Sequence, residues 1–403
     1  MTNALDILEQ RGFVKQITHP EELRKRLERP LTFYCGFDAS ADSLHVGHLL
    51  PLMAMANLQR AGHRPLAVIG GGTAMIGDPS GKTEMRKMLN RETIDANAQA
   101  LARQVAKFIN LEQAGAGVVL NNADWLSELN YIEFLRDIGS HFSVNRMLTY
   151  ECFKSRMERG LSFIEFNYML LQSYDFLTLY RKHECVLQVG GDDQWSNIIS
   201  GADLIRRVDQ GEAFGLTFPL LETSDGKKMG KTEAGAVWLS PERLSPYDFY
   251  QFWRNTHDDD VARFMKLYTF LPVAEIEELT AQKGEAINKA KTVLAYEVTK
   301  LVHGEAEAVR AREAASALFG AGAGGDSVPS TTLKAEPVNI LDLLVASGLA
   351  ASKSEGRRLV SQGGIYLADE RVTDIELMVD PQDYGDKLIV RKGKKVYHQI
   401  TFQ

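Results

Sequence analysis

The chain has 403 residues, 44% of them hydrophobic and 25% charged, with 46 Lys and Arg against 53 Asp and Glu and a net charge of -7. This is ordinary globular composition with length for about two or three domains, and it argues against a uniformly basic coat for nucleic acid while leaving local basic patches open. Three cysteines, Cys35, Cys152 and Cys185, lack any CxxC spacing, so neither a disulfide framework nor a zinc site is expected.

The first residues mix acids and bases without a signal-like apolar core, and no run of about 18 apolar residues follows. A soluble, cytoplasmic protein without a membrane partner is the expectation. Short amphipathic helical patterns cover 4–13 and 21–27. Apolar runs bounded by glycine or polar residues then read as strands: LTFYCGF, RPLAVIGGG, GVVLNN, CVLQVGG and LTFPLL. Helical patterns separate them at 49–61, 93–109, 132–138, 165–180 and 197–208. Strand–helix alternation predicts a doubly wound parallel sheet with helices on both faces and ligands at the carboxyl ends of its strands.

From about residue 246 to 319 the pattern is helical, and the small residues GAGAGGDSVPSTT then have linker composition. Residues 334–403 hold ten Lys and Arg and ten Asp and Glu, so this unit is neutral and the rest carries the -7. Its bases cluster. Lys353, Arg357 and Arg358 share one helical pattern, and VRKGKKV brings Arg391, Lys392, Lys394 and Lys395 to two strands around a glycine turn. Such a cluster is either a solvated hairpin tip or an RNA phosphate contact.

Five stretches carry chemistry. In DASADSLHVGHLLPL, His45 and His48 straddle Gly47 where a strand gives way to a helix. A glycine there lets a ligand approach the backbone, and the helix start favours anions. Alone, the pattern also fits surface histidines. GDPSGKTEMR invites a P-loop reading, but the position five before Gly81 is Ile76, so the Walker spacing fails. A glycine-rich loop carrying Lys82 and Arg86 toward a polyphosphate remains. In NYMLLQSYD, Tyr168, Gln172 and Asp175 share one helix face, which either meets solvent or lines a hydrogen-bonding ligand site. LQVGGDDQWSN ends a strand in glycines, acids and a glutamine, and acids suit ribose hydroxyls. GKKMGKT is a glycine-bracketed lysine loop, or an exposed basic turn.

Together and in this order, with YCGFD before them, these stretches resemble the bacterial tyrosyl-tRNA synthetases of class I. The class signatures would be His45-Val46-Gly47-His48 and Lys228-Met229-Gly230-Lys231-Thr232. The resemblance spans essentially the whole chain, with Val46, Gly230 and Thr232 as departures from the general signatures. It implies a Rossmann-like catalytic domain over 1–235, a helical anticodon-binding domain over 236–320, a flexible linker over 321–333 and an α+β S4-like RNA-binding domain over 334–403.

The implied activity is tyrosine–tRNA ligation: L-tyrosine and ATP give tyrosyl-adenylate and pyrophosphate, and the tyrosyl group passes to the terminal adenosine of tRNA(Tyr). ATP would come with Mg2+ as a substrate complex, with no metal held tightly by the protein. A homodimer is implied, with Phe163 near its contact, and DNA is not a partner. His45, His48, Lys82, Arg86, Lys228, Lys231 and Thr232 would be catalytic. Tyr34, Asp78, Tyr168, Gln172, Asp175, Gln188 and Gln194 would bind tyrosine, with Tyr34 and Asp175 on the phenol and Asp78, Tyr168 and Gln172 around the ammonium. Cys35, Gly36, Asp38, Gly47, His48, Gly190, Gly191, Asp193, Met229 and Lys231 would bind ATP.

Three other readings share parts of this pattern. A tryptophanyl enzyme shares the fold without the Tyr34 and Asp175 pair, and a small nucleotidyltransferase shares HxGH but would be much shorter. A non-catalytic S4-type RNA-binding protein would not need His45, His48, Lys228 and Lys231.

Overall fold

The structure is a computed structural model, and it describes residues 3–78, 80, 89–112, 115–157, 160–224, 226, 229–232, 235–281, 286–319, 329–368, 370–393 and 396–403. Contacts gather these into two units, Met1–Ser240 with Thr256–Leu294, and Pro241–Asn255 with Ala295–Gln403.

The first unit is built on six strands: β1 (Gln16–Ile17), β2 (Thr32–Asp38), β3 (Arg64–Gly70), β4 (Val118–Asn121), β5 (Cys185–Gly191) and β6 (Phe214–Phe218). Their order across the sheet is β1-β6-β5-β2-β3-β4. Five strands run parallel, and β1 lies antiparallel to β6 at the edge. The chain winds outward from β2 through β3 to β4, then returns to the other side of β2 with β5 and β6. That reversal opens a crevice at the carboxyl ends of β2 and β5.

Two sequence expectations shift. The two-residue edge strand β1 is too short to show a periodicity, and its antiparallel pairing makes the sheet mixed. The run LTFPLL was expected as strand throughout, but β6 begins earlier and stops at Phe218, because Pro219 has no N–H for a ladder.

Tyr34, Leu66, Val68, Phe176, Leu177, Cys185, Leu204 and Ile205 pack into one core cluster, which joins the sheet to the Phe163–His183 and Trp195–Asp209 helices. The first of these helices has both ends specified. Ser162 and Glu165 form a capping box at its start, buried Arg156 pairs with Glu165 at 2.9 Å, and Glu184 adopts a left-handed conformation at its end.

Short strands β7 (Lys231–Thr232) and β8 (Gly235–Ala236) form a separate ladder. In the second unit, β9 (Ser330–Leu333), β11 (Ile365–Leu367), β12 (Glu370–Val372), β14 (Lys387–Lys392) and β15 (Val396–Phe402) form a sheet in the order β12-β11-β14-β15-β9, while β10 (Val338–Asn339) pairs with β13 (Met378–Val379). Ile340, Leu343, Leu344, Val360, Ile365, Leu388, Val390 and Ile400 make its core with the Ile340–Ala346 and Lys353–Ser361 helices. Residues 330–333 were expected as linker. They are instead strand β9, parallel to β15 from Ser330↔Gln399 to Leu333↔Phe402, because the β-branched Thr331 and Thr332 suit an extended backbone. The remainder of the expected linker, up to residue 328, lies outside the described residues.

Candidate active site

A cleft of about 480 Å³ opens at the crevice between β2 and β5. Its wall includes Tyr34, Asp78, Tyr168, Gln172, Asp175, Gln188 and Gln194, and also Cys35, Gly36, Asp38, His45, Gly47, His48, Gly190, Gly191, Asp193 and Met229. The sheet thus brings together residues drawn from five separate stretches. Lys82, Arg86 and Lys228, and the side chains of Lys231 and Thr232, lie outside the described residues.

One end of the cleft is buried. Asp175 stands at the apolar middle of its helix, and burial pushes its carboxyl up to about pH 7 against the donors that favour its charge. Both oxygens are held: Asn122 Nδ2 donates to Oδ2 at 2.9 Å and Trp125 Nε1 to Oδ1 at 2.7 Å. Asn122 is in turn fixed, because its Oδ1 accepts from the Gly72 N–H and its Nδ2 also donates to Thr73 Oγ1. Beside this pair, the Tyr34 hydroxyl is buried with no hydrogen-bond partner among the described residues. Burial first, and the nearby Asp175 charge second, keep the phenol protonated.

Asp78 anchors the adjoining wall. It accepts from the Ser80 N–H at 2.9 Å and from Gln194 Nε2 at 2.7 Å, and Asn197 Nδ2 donates to Gln194 Oε1 at 3.1 Å. Burial, and then the charge of Asp38, raise the Asp78 carboxyl to about 6. Tyr168 Oη donates to Asp38 Oδ1 at 3.4 Å. The Oε1 atoms of Gln172 and Gln188 are buried acceptors without a partner among the described residues. A buried hydroxyl beside a carboxylate at one end, and a carboxylate with nearby amide acceptors at the other, suit a ligand with a hydroxyl and a cation.

The two aspartates of GGDDQ have different tasks. Asp192 accepts from Gln16 Nε2 at 2.7 Å and Thr217 Oγ1 at 2.8 Å, which ties it to β1 and β6. Asp193 lines the cleft.

The histidines resolve as a reciprocal cap. His45 is the N-cap of the Val46–Arg60 helix: its Nδ1 accepts from the Gly47 N–H at 3.0 Å, while His48 Nδ1 accepts from the His45 N–H at 3.2 Å. Two histidines thus make the bonds that a serine and a glutamate usually make. With Nδ1 accepting, each neutral ring carries its proton on Nε2, which makes Nε2 a donor for a phosphate oxygen. At Gly47 a Cβ would sit 2.7 Å from His45 Cε1, so any larger residue would push the capping ring aside. Gly230 of the lysine loop packs on this same turn with φ +79°, where a Cβ would lie 3.2 Å from that of Val46. The Val46 N–H donates to the Val237 carbonyl and the Leu239 N–H to the Leu44 carbonyl, so the segment after β8 lies against HVGH.

Sequence reasoning missed Asn122, Trp125, Ser80 and Asn197. Asn122 had a signal, because GVVLNN ends at the carboxyl edge where ligands bind; the others had none.

In the second unit, Arg357 and Arg358 are exposed on the Lys353–Ser361 helix. Lys353 pairs with Asp342 at 2.6 Å, and Arg391 lies over the Tyr366 ring at 3.6 Å. Lys392 Nζ donates to the Leu349 carbonyl at 2.7 Å and to Glu355 at 3.3 Å, which gives it a structural task. Lys394 and Lys395 lie outside the described residues.

Family models match in two adjoining segments: tRNA synthetases class I (W and Y) over residues 25–320, and the tyrosine–tRNA ligase SYY-like C-terminal domain over 321–400. A tyrosine–tRNA ligase of Acetivibrio thermocellus is 56% identical over 406 residues, covering 99% of each chain. One from Clostridium botulinum is 55% identical over 408 residues, covering both chains fully. Among solved structures, a C-terminally truncated mitochondrial tyrosyl-tRNA synthetase of Aspergillus nidulans aligns with a TM-score of 0.72 at 30% identity, over 79% of this chain and 95% of that one. A tryptophan-bound tryptophanyl-tRNA synthetase of Encephalitozoon cuniculi shares the fold at 13% identity, with a TM-score of 0.56 over 76% of this chain and 87% of that one.

Proposed function

The chain belongs to the tyrosine–tRNA ligases of class I, and from that premise we propose which residues carry each part of the reaction. The enzyme joins tyrosine to ATP, releases pyrophosphate, and passes the tyrosyl group to the terminal adenosine of tRNA(Tyr). An amino-acid carboxylate is already ionised at neutral pH, so its attack on the α-phosphorus needs no general base. It needs alignment, and positive charge where the pyrophosphate departs.

In this reading the phenol hydroxyl of tyrosine lies between Tyr34 and Asp175. The observation that carries it is the buried Tyr34 hydroxyl without a partner among the described residues, next to a carboxylate fixed by Asn122 and Trp125. Asp78, Tyr168 and Gln172 receive the ammonium, with Gln188 and Gln194 beside them. Cys35, Gly36, Asp38, Gly47, His48, Gly190, Gly191, Asp193 and Met229 surround the adenosine, with Asp193 on the ribose. His45, His48, Lys82, Arg86, Lys228, Lys231 and Thr232 stabilise charge on the phosphates, and Mg2+ enters with ATP as part of the substrate.

Phenylalanine would leave the buried Tyr34 hydroxyl without a partner and would forgo the bond its phenol counterpart makes to Asp175, and tyrosyl enzymes are the standard example of this rejection, at about 10⁵-fold without editing.

We further propose the division 1–235, 236–320, 321–329 and 330–403 for catalysis, anticodon binding, linker and tRNA docking, since β9 joins the C-terminal sheet from residue 330. Arg357 and Arg358 are the best placed of the basic residues for tRNA phosphates. Phe163, 69% exposed, stands with Tyr131, Ile132, Val144 and Met157 in a stretch rich in exposed apolar side chains, which supports a homodimer contact. Sedimentation of Phe163→Asp would show a shift to the monomer mass if that contact holds, and an unchanged mass would refute it. A cytoplasmic location fits this function, and fractionation of cells producing the tagged protein tests it.

Pyrophosphate exchange into ATP with tyrosine, phenylalanine or tryptophan tests the pocket. Only tyrosine should support it; exchange with tryptophan would overturn the assignment. A chain ending at residue 325 should keep this exchange and lose most transfer to tRNA, and full charging by it would refute the docking role.

A further inference from the structure

The lysine loop draws attention through its charge, yet the segment before it carries unexplained geometry. The Met229 N–H donates to the Leu221 carbonyl at 2.9 Å, which brackets the residues leading to Lys228. Within that bracket, two backbone groups are gripped by one ion pair. Asp260 Oδ2 accepts the Ser224 N–H at 2.8 Å. Arg263 Nη2 donates both to Asp260 Oδ1 and to the Glu222 carbonyl, each at 2.6 Å.

Asp260 ends the Asp258–Asp260 3-10 turn that runs into the Val261–Tyr268 helix, and the start of that turn is capped by His257, whose Nδ1 accepts the Asp259 N–H, so the Asp260 carboxylate is not needed for a bond to the first N–H groups of its own helix. Its side chain makes no such bond. The carboxylate, only 2% exposed, is turned to the loop segment instead. One donor and one acceptor of a three-residue segment are held together, so the clamp fixes both its position and its rotation. The segment it holds ends at Ser224, which precedes Lys228 by four residues in the sequence.

We propose that Asp260 and Arg263 are positioning residues for adenylate formation, acting through the backbone of residues 222–224 on the placement of the loop lysines. The proposal rests on the reading that Lys228 and Lys231 stabilise the departing pyrophosphate. The pair is remote from tyrosine in role, so its loss separates rate from amino-acid affinity, which a general structural role would not do.

The experiment compares Asp260→Asn, Arg263→Ala, Arg263→Lys and, as reference, Lys231→Ala in the full chain. It measures single-turnover adenylate formation at saturating substrates, tyrosine affinity by equilibrium dialysis, and thermal unfolding. Asp260→Asn keeps an acceptor for the Ser224 N–H but breaks the ion pair without changing size, so it serves even if Arg263→Ala folds poorly. We expect Asp260→Asn and Arg263→Ala to slow adenylate formation about tenfold or more, since small misplacements of aligned groups cost rates of that order. Tyrosine affinity should stay within about twofold of the parent, and Arg263→Lys should recover part of the rate because it keeps the charge on Asp260. Unchanged rates in both variants, or losses of rate, affinity and stability in parallel, would overturn the proposal. A normal rate in Lys231→Ala would instead bring down the reading of the loop on which it stands.

Discussion

At the end of the cleft proposed for tyrosine, Asp175 and Asp78 are buried carboxylates whose oxygens are already held by neutral donors, whereas at the end proposed for the nucleotide His45 and His48 sit on a helix start and hold each other's turn. The first arrangement punishes any ligand that leaves a buried group unpaired, so it selects. The second directs donors at charge that exists only while the reaction proceeds, so it accelerates. On the proposed assignment one cleft separates recognition from rate by burial, and substitutions at its two ends should fail in different ways.

The largest effect is expected from Asp175→Asn. The amide would set its own N–H groups against the donors of Trp125 or Asn122, and tyrosine-dependent pyrophosphate exchange should fall by at least about 10³-fold, mostly through lost tyrosine binding. A variant with near-normal exchange would remove Asp175 from the recognition end.

His45→Ala should break the comparison from the other side. Single-turnover adenylate formation should fall about 10²-fold with tyrosine affinity nearly unchanged. The lost cap should also lower stability by about 1 kcal/mol, read by denaturant unfolding. A pure loss of tyrosine affinity at normal rate would place His45 with the recognition groups.

Acidity sharpens the contrast further. With Asp78 at about 6 in the free enzyme and drawn lower by an ammonium beside it, the complex binds fewer protons than the free protein. Tyrosine affinity should therefore rise with pH up to about 6 and then level, by at most about tenfold per unit, with proton release measurable by calorimetry in buffers of different ionisation heat. Asp78→Asn should flatten that part of the profile. The raised carboxyls also act on folding. Between the ordinary aspartate value and about 6 to 7 the unfolded chain holds fewer protons than the fold at Asp78 and Asp175, so their contribution to stability of the free enzyme falls as pH rises.

The smallest effect is expected from Tyr34→Phe, which removes one neutral hydrogen bond. Exchange kinetics should show discrimination against phenylalanine weakened by about 0.5–1.5 kcal/mol, with Asp175 still holding the phenol. An unchanged preference would leave recognition to the carboxylate alone.

Strand β5 and the polar stripe of Tyr168, Gln172 and Asp175 were legible in the sequence, because strand and helix periodicities are local and the residues that break them stand out. The glycine between the histidines could likewise be read as a turn where backbone must be approached. The family followed from the order of five motifs, each unremarkable alone. Tertiary structure decided what the motifs touch. Asn122 and Trp125 reach Asp175 from about 50 residues away in the chain, Asp192 is claimed by Gln16 and Thr217 while its neighbour Asp193 lines the cleft, and Asp260 accepts from Ser224. None of these choices has a period. A side chain's partner is set by which strands the sheet places side by side, and that ordering arises only when distant apolar runs are buried together.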